Sequence, residues 1–255
     1  MKIIFLCAGY GTRLYPLTEN QPKALLEIGG EVLLSYLLDK VRLLPSLTSV
    51  TVVSNDRFYD HFCKWQKKLK PSISINVLND GTKDPESRLG AIQDLKLALE
   101  KEDIKEDILV LAGDNFFDSD LASFVTFAQA KTPAVSVGVY DVQDRERAQK
   151  YGLIKADSSG KITTFLEKPK DPPTTLASMG VYYFPKDTLV HIDRFLEANR
   201  NSDAPGYYVS WLSKKINVYA YVFSGAWFDI GDLNSYREAD QYLRERGAKQ
   251  KVSKK

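Results

Sequence analysis

The loop after the first apolar run of the chain constrains the fold more than any other feature. The run covers residues 2–7 and has the apolar composition of a short buried strand. Gly9 and Gly11 follow it directly, with Arg13 just behind them and Lys23 further on. Glycine lets the backbone approach a ligand and present its N–H groups to phosphate oxygens, and the two cations add complementary charge. The segment therefore predicts a strand that ends in a binding site for a triphosphate.

Two better-known phosphate loops do not match this segment. A Walker loop needs a lysine directly after its last glycine, whereas Gly11 is followed by Thr12 and Arg13. A dinucleotide-binding fingerprint needs a third glycine on an opening helix, but Leu14 occupies that position and Pro16 follows. The residues alone leave open a simpler interpretation, in which a glycine turn carries two solvated cations.

The charge and cysteine content exclude several classes of protein. The 255 residues carry a formal net charge of +2, but residues 244–255 hold six basic side chains and one acidic one. The other residues therefore carry −3, which gives no basic surface for nucleic acid, and the apolar run 3–8 is too short to span a membrane. Cys7 and Cys63 offer no disulfide framework. We expect a reduced, cytoplasmic protein without a leader segment and without membrane or nucleic-acid partners.

Strand-like and helical patterns alternate through the first half of the chain. The apolar, strand-like runs are 2–7, 50–54, 73–78, 108–112 and 134–140, and the helical patterns are 32–44, 57–69, 89–100 and 121–131. This alternation predicts an α/β fold with a doubly wound, mostly parallel, Rossmann-like sheet flanked by helices. Ligands bind beyond the carboxyl ends of such strands. We therefore expect residues 113–115, which follow the fourth run, to face the glycine loop.

The second half has the pattern of an antiparallel insert. Strand-like runs at 151–156, 161–167 and 177–184 are separated by turns, and the later pattern is helix 187–197, helix 206–214, strand 217–223 and helix 233–244. We expect one domain over 1–245, with the alternating pattern in a first half at 1–140 and the antiparallel insert in a second half at 141–245. Residues 246–255 are expected to form a basic, disordered tail.

Two carboxylates follow strand-like segments and suit a magnesium ion. Asp114 comes directly after an apolar run, and Asp229 lies between a strand and the last helix. Mg²⁺ takes few carboxylates and completes its shell with water and phosphate oxygens. A lone aspartate more often caps a turn or a helix, as we expect for Asp232. Beside a triphosphate loop, the metal-binding interpretation is favoured for Asp114 and Asp229.

A series of motifs resembles the sugar-phosphate nucleotidyltransferases, and among these it is similar to the glucose-1-phosphate thymidylyl- and uridylyltransferases. The resemblance covers about residues 2 to 243. In chain order, its motifs are Ala8-Gly9-Tyr10-Gly11-Thr12-Arg13-Leu14 with Pro22-Lys23, Gly113-Asp114-Asn115, Tyr151-Gly152, Glu167-Lys168-Pro169, Gly180-Val181-Tyr182 and Trp227-Phe228-Asp229-Ile230-Gly231.

The resemblance implies that the half at 1–140 binds the nucleotide and the half at 141–245 binds the sugar phosphate, and it implies a role for each group of residues. Catalytic roles fall to Arg13, Lys23, Asp114 and Asp229, of which the two aspartates hold Mg²⁺. The residues implied to bind the nucleotide are Leu6, Ala8, Gly9, Gly11, Thr12, Asn79, Asp80, Leu89 and Gly90. Those implied to bind the sugar phosphate are Tyr151, Gly152, Glu167, Lys168 and Gly180. The implied reaction joins a nucleoside triphosphate to a sugar 1-phosphate, most simply dTTP or UTP with glucose 1-phosphate, and releases pyrophosphate.

The chain departs from the family pattern at two points. Asn79-Asp80 stands where the thymidylyl branch usually has Gln-Pro, and Tyr10 replaces the second glycine of the usual Ala-Gly-Gly opening. The nucleobase is therefore left open. A regulatory protein that binds a nucleotide sugar without turnover, or an enzyme that uses another phosphorylated acceptor such as phosphocholine, is also left open. Homo-oligomers are common in the family, but the sequence shows no apolar surface stripe that would identify an interface. Assembly into a homo-oligomer is therefore left open.

Overall fold

A computed structural model describes residues 1–69, 73–199 and 204–252, with side chains as far as residue 248. The strands in these ranges are β1 Lys2–Leu6, β2 Glu27–Ile28, β3 Glu31–Val32, β4 Ser49–Ser54, β5 Ser74–Asn79, β6 Ile108–Ala112, β7 Asn115–Phe117, β8 Val135–Asp141, β9 Gly152–Ala156, β10 Ile162–Glu167, β11 Leu176–Phe184, β12 Val218–Phe223 and β13 Trp227–Asp229. The α-helices are α1 Leu33–Arg42, α2 Tyr59–Lys68, α3 Ala91–Lys101, α4 Leu121–Ala130, α5 Arg145–Ala148, α6 Val190–Ala198, α7 Pro205–Leu212 and α8 Leu233–Val252.

The main sheet is mixed, and its centre is parallel. Strands β5, β4, β1 and β6 lie in that order and run the same way, with Leu6 opposite both Val53 and Ala112. Strands β4, β1 and β6 therefore end side by side, and the loops that follow them leave from one edge. Since ligands bind at this carboxyl edge, the fold brings the glycine loop and residues 113–115 together.

The long strand β11 connects the parallel centre to the antiparallel insert. It runs antiparallel to β6 from Val181 to Phe184, antiparallel to β8 from Leu176 to Tyr183, and antiparallel to β9 at Ala177. The register against β8 is irregular between Ser178 and Val181, where Gly180 has a φ of 70°. A Cβ at Gly180 would lie only 2.8 Å from the Cβ of Ala112, so this close approach requires glycine. The insert is thereby placed beside the end of β6.

Helices cover both faces of the sheet, as the alternation of side chains along β1 requires. Ile3 and Phe5 belong to an apolar core shared with α1, α2 and α4, whereas Ile4 belongs to a second core formed with α3, α6 and α7. All three side chains are fully buried. A strand that is buried on both faces is apolar throughout, which explains the continuous apolar run at the start of the chain.

A separate two-stranded ribbon brings a distant segment to the carboxyl edge. Strand β13 pairs antiparallel with β7, and Asp229 lies opposite Asn115. The N–H of Ile230 also donates to the carbonyl of Asp114 at 2.9 Å. The ribbon therefore fixes Asp229 beside Asp114, although more than a hundred residues separate them along the chain.

The predicted α/β class, with a mostly parallel sheet flanked by helices, is confirmed, and two details differ. The run 134–140 forms β8, but β11 lies between β8 and the parallel centre, because an apolar pattern does not encode the order of strands in a sheet. Helix α8 continues to Val252, so residues 246–252 of the tail predicted to be disordered are helical. This segment is rich in good helix formers, and Arg246 forms an ion pair with Asp118. Residues 253–255 lie outside the described residues, and the division of the domain into two halves stays a prediction.

Candidate active site

Two side chains outside the predicted set hold the glycine loop in shape. Gly11 has a φ of 64°, and a Cβ there would lie 3.2 Å from the side chain of Thr18. Thr18 Oγ1 donates to the carbonyl of Gly11 at 2.7 Å, and Asn55 Nδ2, just after β4, donates to the carbonyl of Ala8 at 2.9 Å. Both carbonyl groups are engaged by the protein, which favours presentation of the loop N–H groups to an anion.

Lys23 and Asp114 form an ion pair at the carboxyl edge. Lys23 Nζ lies 2.5 Å from Asp114 Oδ2, and the two side chains are 15% and 31% exposed. Lys23 opens a 3₁₀ turn directly after Pro22, whereas Asp114 follows β6. The ammonium group of Lys23 is therefore held at the end of β6, where it can contact a phosphate oxygen of a ligand.

Asp229 completes a pair of neighbouring carboxylates. Its burial and the nearby Asp114 carboxylate raise the pKa of Asp229 well above the usual range. The cations Lys23, Arg13 and Lys168 lower the pKa of Asp229 and so act in the opposite direction. A buried carboxyl whose ionisation is disfavoured by a neighbouring carboxylate creates a place where added positive charge is stabilised.

This pair has the donor chemistry that magnesium needs. Mg²⁺ is held by one or two carboxylates together with water and substrate phosphates, rather than by an all-protein cage. Within the part of the chain that the structure describes, no group of three or more His, Cys, Asp or Glu side chains is arranged to hold a metal. Asp114 and Asp229 therefore fit a magnesium ion whose remaining ligands come from the substrate and solvent.

Arg13 reaches the carboxylate pair from the glycine loop. A Cβ at Gly231 would lie 3.7 Å from Arg13 Nη2 and 3.6 Å from Asp229 Oδ2. Gly231 follows the ribbon strand β13 and leaves room for both groups because it has no side chain. The guanidinium group from the first loop and the carboxylate from the ribbon therefore converge on one point.

Two cavities meet at this point. The loop cavity, of about 320 Å³, lies against the glycine loop and Lys23. The insert cavity, of about 630 Å³, lies against β9, β10 and the start of β11. Both cavities are lined by Arg13, Asp114 and Gly231. Two ligands that occupy the two cavities would meet at these three residues.

The residues predicted to bind a nucleotide divide into two groups. The first group lies in or beside the loop cavity: Leu6, Gly9, Gly11 and Thr12 line it, and Ala8 belongs to the same loop. The second group is absent from the lining of that cavity and consists of Asn79, Asp80, Leu89 and Gly90. The structure therefore brings the first group together around the loop cavity, whereas the second group does not line this cavity.

The polar groups of Asn79 and Asp80 are engaged in a turn. Asn79 Nδ2 donates to Asp56 Oδ1 at 2.7 Å, and Asn79 Oδ1 accepts from the N–H of Gly81 at 2.8 Å. Asp80 Oδ1 accepts from the N–H of Thr82 at 2.7 Å and from its hydroxyl at 2.8 Å. Asn and Asp often bond to the backbone of their own turn, and the string Asn-Asp-Gly carries that signal in the sequence.

Three other side chains line the loop cavity on this side. They are Tyr10, Pro85 and Arg88. Leu89 and Gly90, next to Arg88, are among the residues implied to bind the nucleotide, whereas Arg88 itself carries no predicted role. Tyr10 lies between the two glycines of the loop and was noted only as a departure from the family pattern.

The residues predicted to bind the sugar phosphate all line the insert cavity, namely Tyr151, Gly152, Glu167, Lys168 and Gly180. Glu167 is enclosed by two glycines: a Cβ at Gly152 would lie 3.0 Å from Glu167 Oε2, and a Cβ at Gly206 would lie 2.2 Å from it. Burial raises the pKa of the Glu167 carboxyl, and Lys168, with Nζ 3.8 Å from Oε1, opposes that shift. This carboxylate is positioned to accept hydrogen bonds from ligand hydroxyl groups.

An aromatic wall closes the insert cavity near the ribbon. Trp227 and Tyr151 both line the cavity, and their ring centroids are 4.9 Å apart. Arg147, on α5, and Lys150, just after this helix, line the cavity as well and carry no sequence-based prediction. A flat aromatic wall and several polar groups suit a small polar ring.

Comparison with known proteins identifies the family. The family model described as nucleotidyl transferase matches residues 2–246. The chain belongs to the nucleotidyl transferase family, which confirms the resemblance seen in its motifs.

Similar proteins carry several different names. The chain is 29% identical over 247 residues to the bifunctional protein GlmU of Methanocaldococcus jannaschii, covering 96% of this chain and 55% of the relative. It is 29% identical to the glucose-1-phosphate adenylyltransferase of Clostridium novyi, covering 95% of this chain and 66% of the relative. The chain thus spans about half to two thirds of the length of these curated relatives.

A solved structure confirms the fold. The crystal structure of UDP-glucose pyrophosphorylase complexed with UDP-glucose has a TM-score of 0.79 at 22% identity, covering 96% of this chain and 98% of that chain. In the described part of this chain, no helix has the length and apolar character needed to cross a membrane.

Proposed function

We propose that the chain transfers a nucleotidyl group from a nucleoside triphosphate to a sugar 1-phosphate and releases pyrophosphate. The observation that carries this proposal is the meeting of two cavities at Arg13, Asp114 and Gly231. One cavity lies against the glycine loop, and the other contains Glu167 and Lys168. A triphosphate in the first and a sugar phosphate in the second would bring an attacking oxygen to the α-phosphorus.

The reaction breaks one bond and forms one bond at that phosphorus. An oxygen of the sugar phosphate attacks the α-phosphorus, and the bond from the α-phosphorus to the oxygen that bridges it to the β-phosphorus breaks. The phosphate oxygen is already a competent nucleophile, so no covalent enzyme intermediate is needed. The obstacle is charge: two unit charges about 4 Å apart repel by about 4 kcal/mol at an effective dielectric constant near 20. Catalysis therefore depends mainly on charge neutralisation and on in-line positioning.

The cations and the glycine loop supply these two effects. We propose that the N–H groups of the glycine loop bind the triphosphate. Arg13 and Lys23 stabilise the negative charge on the α-phosphoryl group and on the departing pyrophosphate. Lys168 holds the sugar phosphate, while Glu167 accepts hydrogen bonds from ring hydroxyls. Magnesium bound by Asp114 and Asp229 would supply further neutralisation of phosphate charge.

Glucose 1-phosphate with dTTP or UTP is the substrate pair we propose. The motif resemblance supports this choice, as do the names of a glucose-1-phosphate adenylyltransferase and a UDP-glucose pyrophosphorylase among the similar proteins. These names share glucose and differ in the base. The turn formed by Asn79 and Asp80 uses their polar groups internally, so we assign base recognition to Arg88 and to the backbone of this side of the cavity.

The test is pyrophosphate release in the presence of Mg²⁺, with the common nucleoside triphosphates crossed against a panel of sugar 1-phosphates and phosphocholine. The proposal predicts release that requires both a triphosphate and one sugar phosphate. Release from a triphosphate with phosphocholine, and with none of the sugar 1-phosphates, would show that the acceptor belongs to another class. The absence of pyrophosphate release with every pair of substrates, together with tight binding of a nucleotide sugar by calorimetry, would identify a regulatory protein and contradict the proposal.

A further inference from the structure

Tyr10 connects the glycine loop to the opposite side of the loop cavity. Its side chain is only 5% exposed, lines the cavity and extends to Thr82, which is 6% exposed. The hydroxyl of Tyr10 lies 3.0 Å from Thr82 Oγ1. The bond joins residues 72 positions apart in the sequence, so it is a tertiary contact between the two sides of the cavity.

The direction of this hydrogen bond follows from the neighbouring bonds. Thr82 Oγ1 lies 2.8 Å and 3.0 Å from the two oxygens of Asp80, to which it donates its single proton. Oγ1 therefore accepts the proton of Tyr10. The N–H of Asp80 donates in turn to the carbonyl of Ser54, the last residue of β4, at 2.8 Å. A continuous chain of hydrogen bonds thus runs from the glycine loop through Thr82 and Asp80 to β4.

The segment that this chain restrains has no regular structure of its own. Residues 81–90 contain neither helix nor strand. Pro85 and Arg88 of this segment line the loop cavity opposite the glycine loop. Irregular segments depend on side-chain contacts for their position, and the bond from Tyr10 is such a contact. The two departures from the family pattern, Tyr10 and Asp80, are thus members of one hydrogen-bonded chain.

We propose that Tyr10 and Thr82 form a clamp that holds residues 81–90 over the base end of a bound nucleotide. The proposal rests on the proposed function, because it takes the loop cavity as a nucleotide site. Both are positioning residues: the glycine loop holds the triphosphate, and the clamp holds the side of the cavity that meets the base. Loss of the clamp therefore weakens binding of the base and leaves binding of the phosphates unchanged.

The clamp is tested first without any ligand. Tyr10→Phe removes the hydroxyl and keeps the ring, and Tyr36→Phe is the matched control, since the Tyr36 hydroxyl donates to the carbonyl of Ile28 at 3.0 Å away from this cavity. Amide hydrogen exchange over residues 81–90 should be faster in Tyr10→Phe than in the wild type and in Tyr36→Phe. Exchange that is identical in all three proteins would overturn the clamp.

Binding then tests the effect on the base. Calorimetry with Mg²⁺ compares UTP and dTTP with inorganic tripolyphosphate, which lacks the base. Tyr10→Phe should weaken nucleotide binding about two- to tenfold, the range of one hydrogen bond, and should leave tripolyphosphate binding unchanged. In a Thr82→Val background, Tyr10→Phe should have no further effect because its partner is already absent. Equal losses for both ligands, or additive losses in the double variant, would overturn the proposal.

These measurements separate the clamp from the proposed function. A wild-type protein that binds none of the common nucleoside triphosphates would contradict the proposed function. The hydrogen-exchange comparison uses the free protein and decides the clamp in either case. Equal thermal unfolding of Tyr10→Phe and Tyr36→Phe would support the clamp, because it shows that the exchange difference is local, whereas a general loss of stability in Tyr10→Phe alone would overturn it.

Discussion

The indole N–H of Trp227 donates to Asn115 Oδ1 at 2.7 Å, and this bond determines which end of the Asn115 amide faces Asp114. With Oδ1 turned toward the indole, Asn115 Nδ2 donates to Asp114 Oδ1 at 2.9 Å. The other oxygen of Asp114 receives Lys23 at 2.5 Å. Trp227 and Asn115 are 3% and 5% exposed, so water competes little for these bonds. The Asp114 carboxylate is therefore fixed at both oxygens.

The first prediction concerns this orientation. Trp227→Phe keeps an aromatic ring and removes the donor, which leaves a buried amide oxygen without its partner and frees the Asn115 amide to turn. We expect kcat to fall about tenfold and the magnesium concentration for half-maximal rate to rise. Steady-state rates over a magnesium titration provide the measurement. Trp65→Phe is the control, because the Trp65 indole is similarly buried but lies 3.4 Å from its acceptor on Ser35. Wild-type kinetics in Trp227→Phe would contradict the orienting role.

A second prediction concerns the carboxylate between two glycines. Gly206→Ala would place a methyl group 2.2 Å from Glu167 Oε2 and 2.6 Å from the ring of Phe165, so the Glu167 side chain must move. We expect the KM for the sugar phosphate to rise about tenfold or more while nucleotide affinity stays unchanged. Gly247→Ala, on α8 with no atom within 4 Å of the added carbon, is the matched control. Equal losses of nucleotide and sugar affinity would contradict the assignment of the insert cavity to the sugar.

A third prediction concerns Lys23. Lys23→Ala removes the cation beside Asp114 and should lower turnover by about 10²–10³, the effect of deleting one preorganised group that stabilises developing charge. Lys105→Ala is the control, since that lysine is 79% exposed and pairs only with Asp103 among the described ion pairs. Rates under saturating substrates are compared for the three proteins. A near-normal rate in Lys23→Ala would remove this residue from the mechanism.

A fourth prediction concerns stability at acid pH. Asp118 accepts hydrogen bonds from the N–H of Ala226 at 2.7 Å, from the hydroxyl of Tyr242 at 2.8 Å and from Arg246. Burial alone would raise the pKa of Asp118, but these bonds outweigh it and lower the pKa below the usual value. A lowered folded-state pKa gives stability that is fully present above the unfolded pKa of about 3.9 and is lost as pH falls through the folded value.

Asp118→Asn should therefore reduce the free energy of unfolding by about 1–3 kcal/mol near pH 7, and the difference from the wild type should shrink below about pH 3. Urea unfolding of both proteins at several pH values measures this difference in the free energy of unfolding. Asp39→Asn, at an exposed i,i+3 pair with Arg42, is the control. A difference that does not change with pH would show that the carboxylate charge at this position is unimportant.

The layered fold could be predicted from local patterns because each buried element carries its own signal. Ile3, Ile4 and Phe5 are apolar without interruption since both faces of β1 are covered. The order of the strands is not encoded in that way: β8 is apolar like the central strands, but β11 separates it from β6 and runs antiparallel to both. The sequence therefore predicts which segments are buried more reliably than it predicts how they are ordered.

The ribbon lies beyond local sequence patterns. Each strand of the ribbon has only three residues, and the bond between Asn115 and Trp227 spans 112 positions. No periodicity develops over three residues, so local patterns do not predict the strand pairing that brings Asp229 beside Asp114. The turn at Asn79 is another feature that depends on tertiary contacts: a polar side chain near a predicted site suggests ligand contact, whereas the Asn79 amide is hydrogen-bonded to Asp56 and Gly81.

The central claim is that a nucleotidyl group moves intact from the triphosphate to the sugar phosphate. The most direct test uses the nucleoside triphosphate and sugar 1-phosphate found to react, with a radiolabel at either the α- or the γ-phosphorus. We predict that the α-label appears in a nucleotide sugar and that the γ-label appears in pyrophosphate. A γ-label in the sugar product, or release of inorganic phosphate in place of pyrophosphate, would show a different bond being broken and would contradict this account.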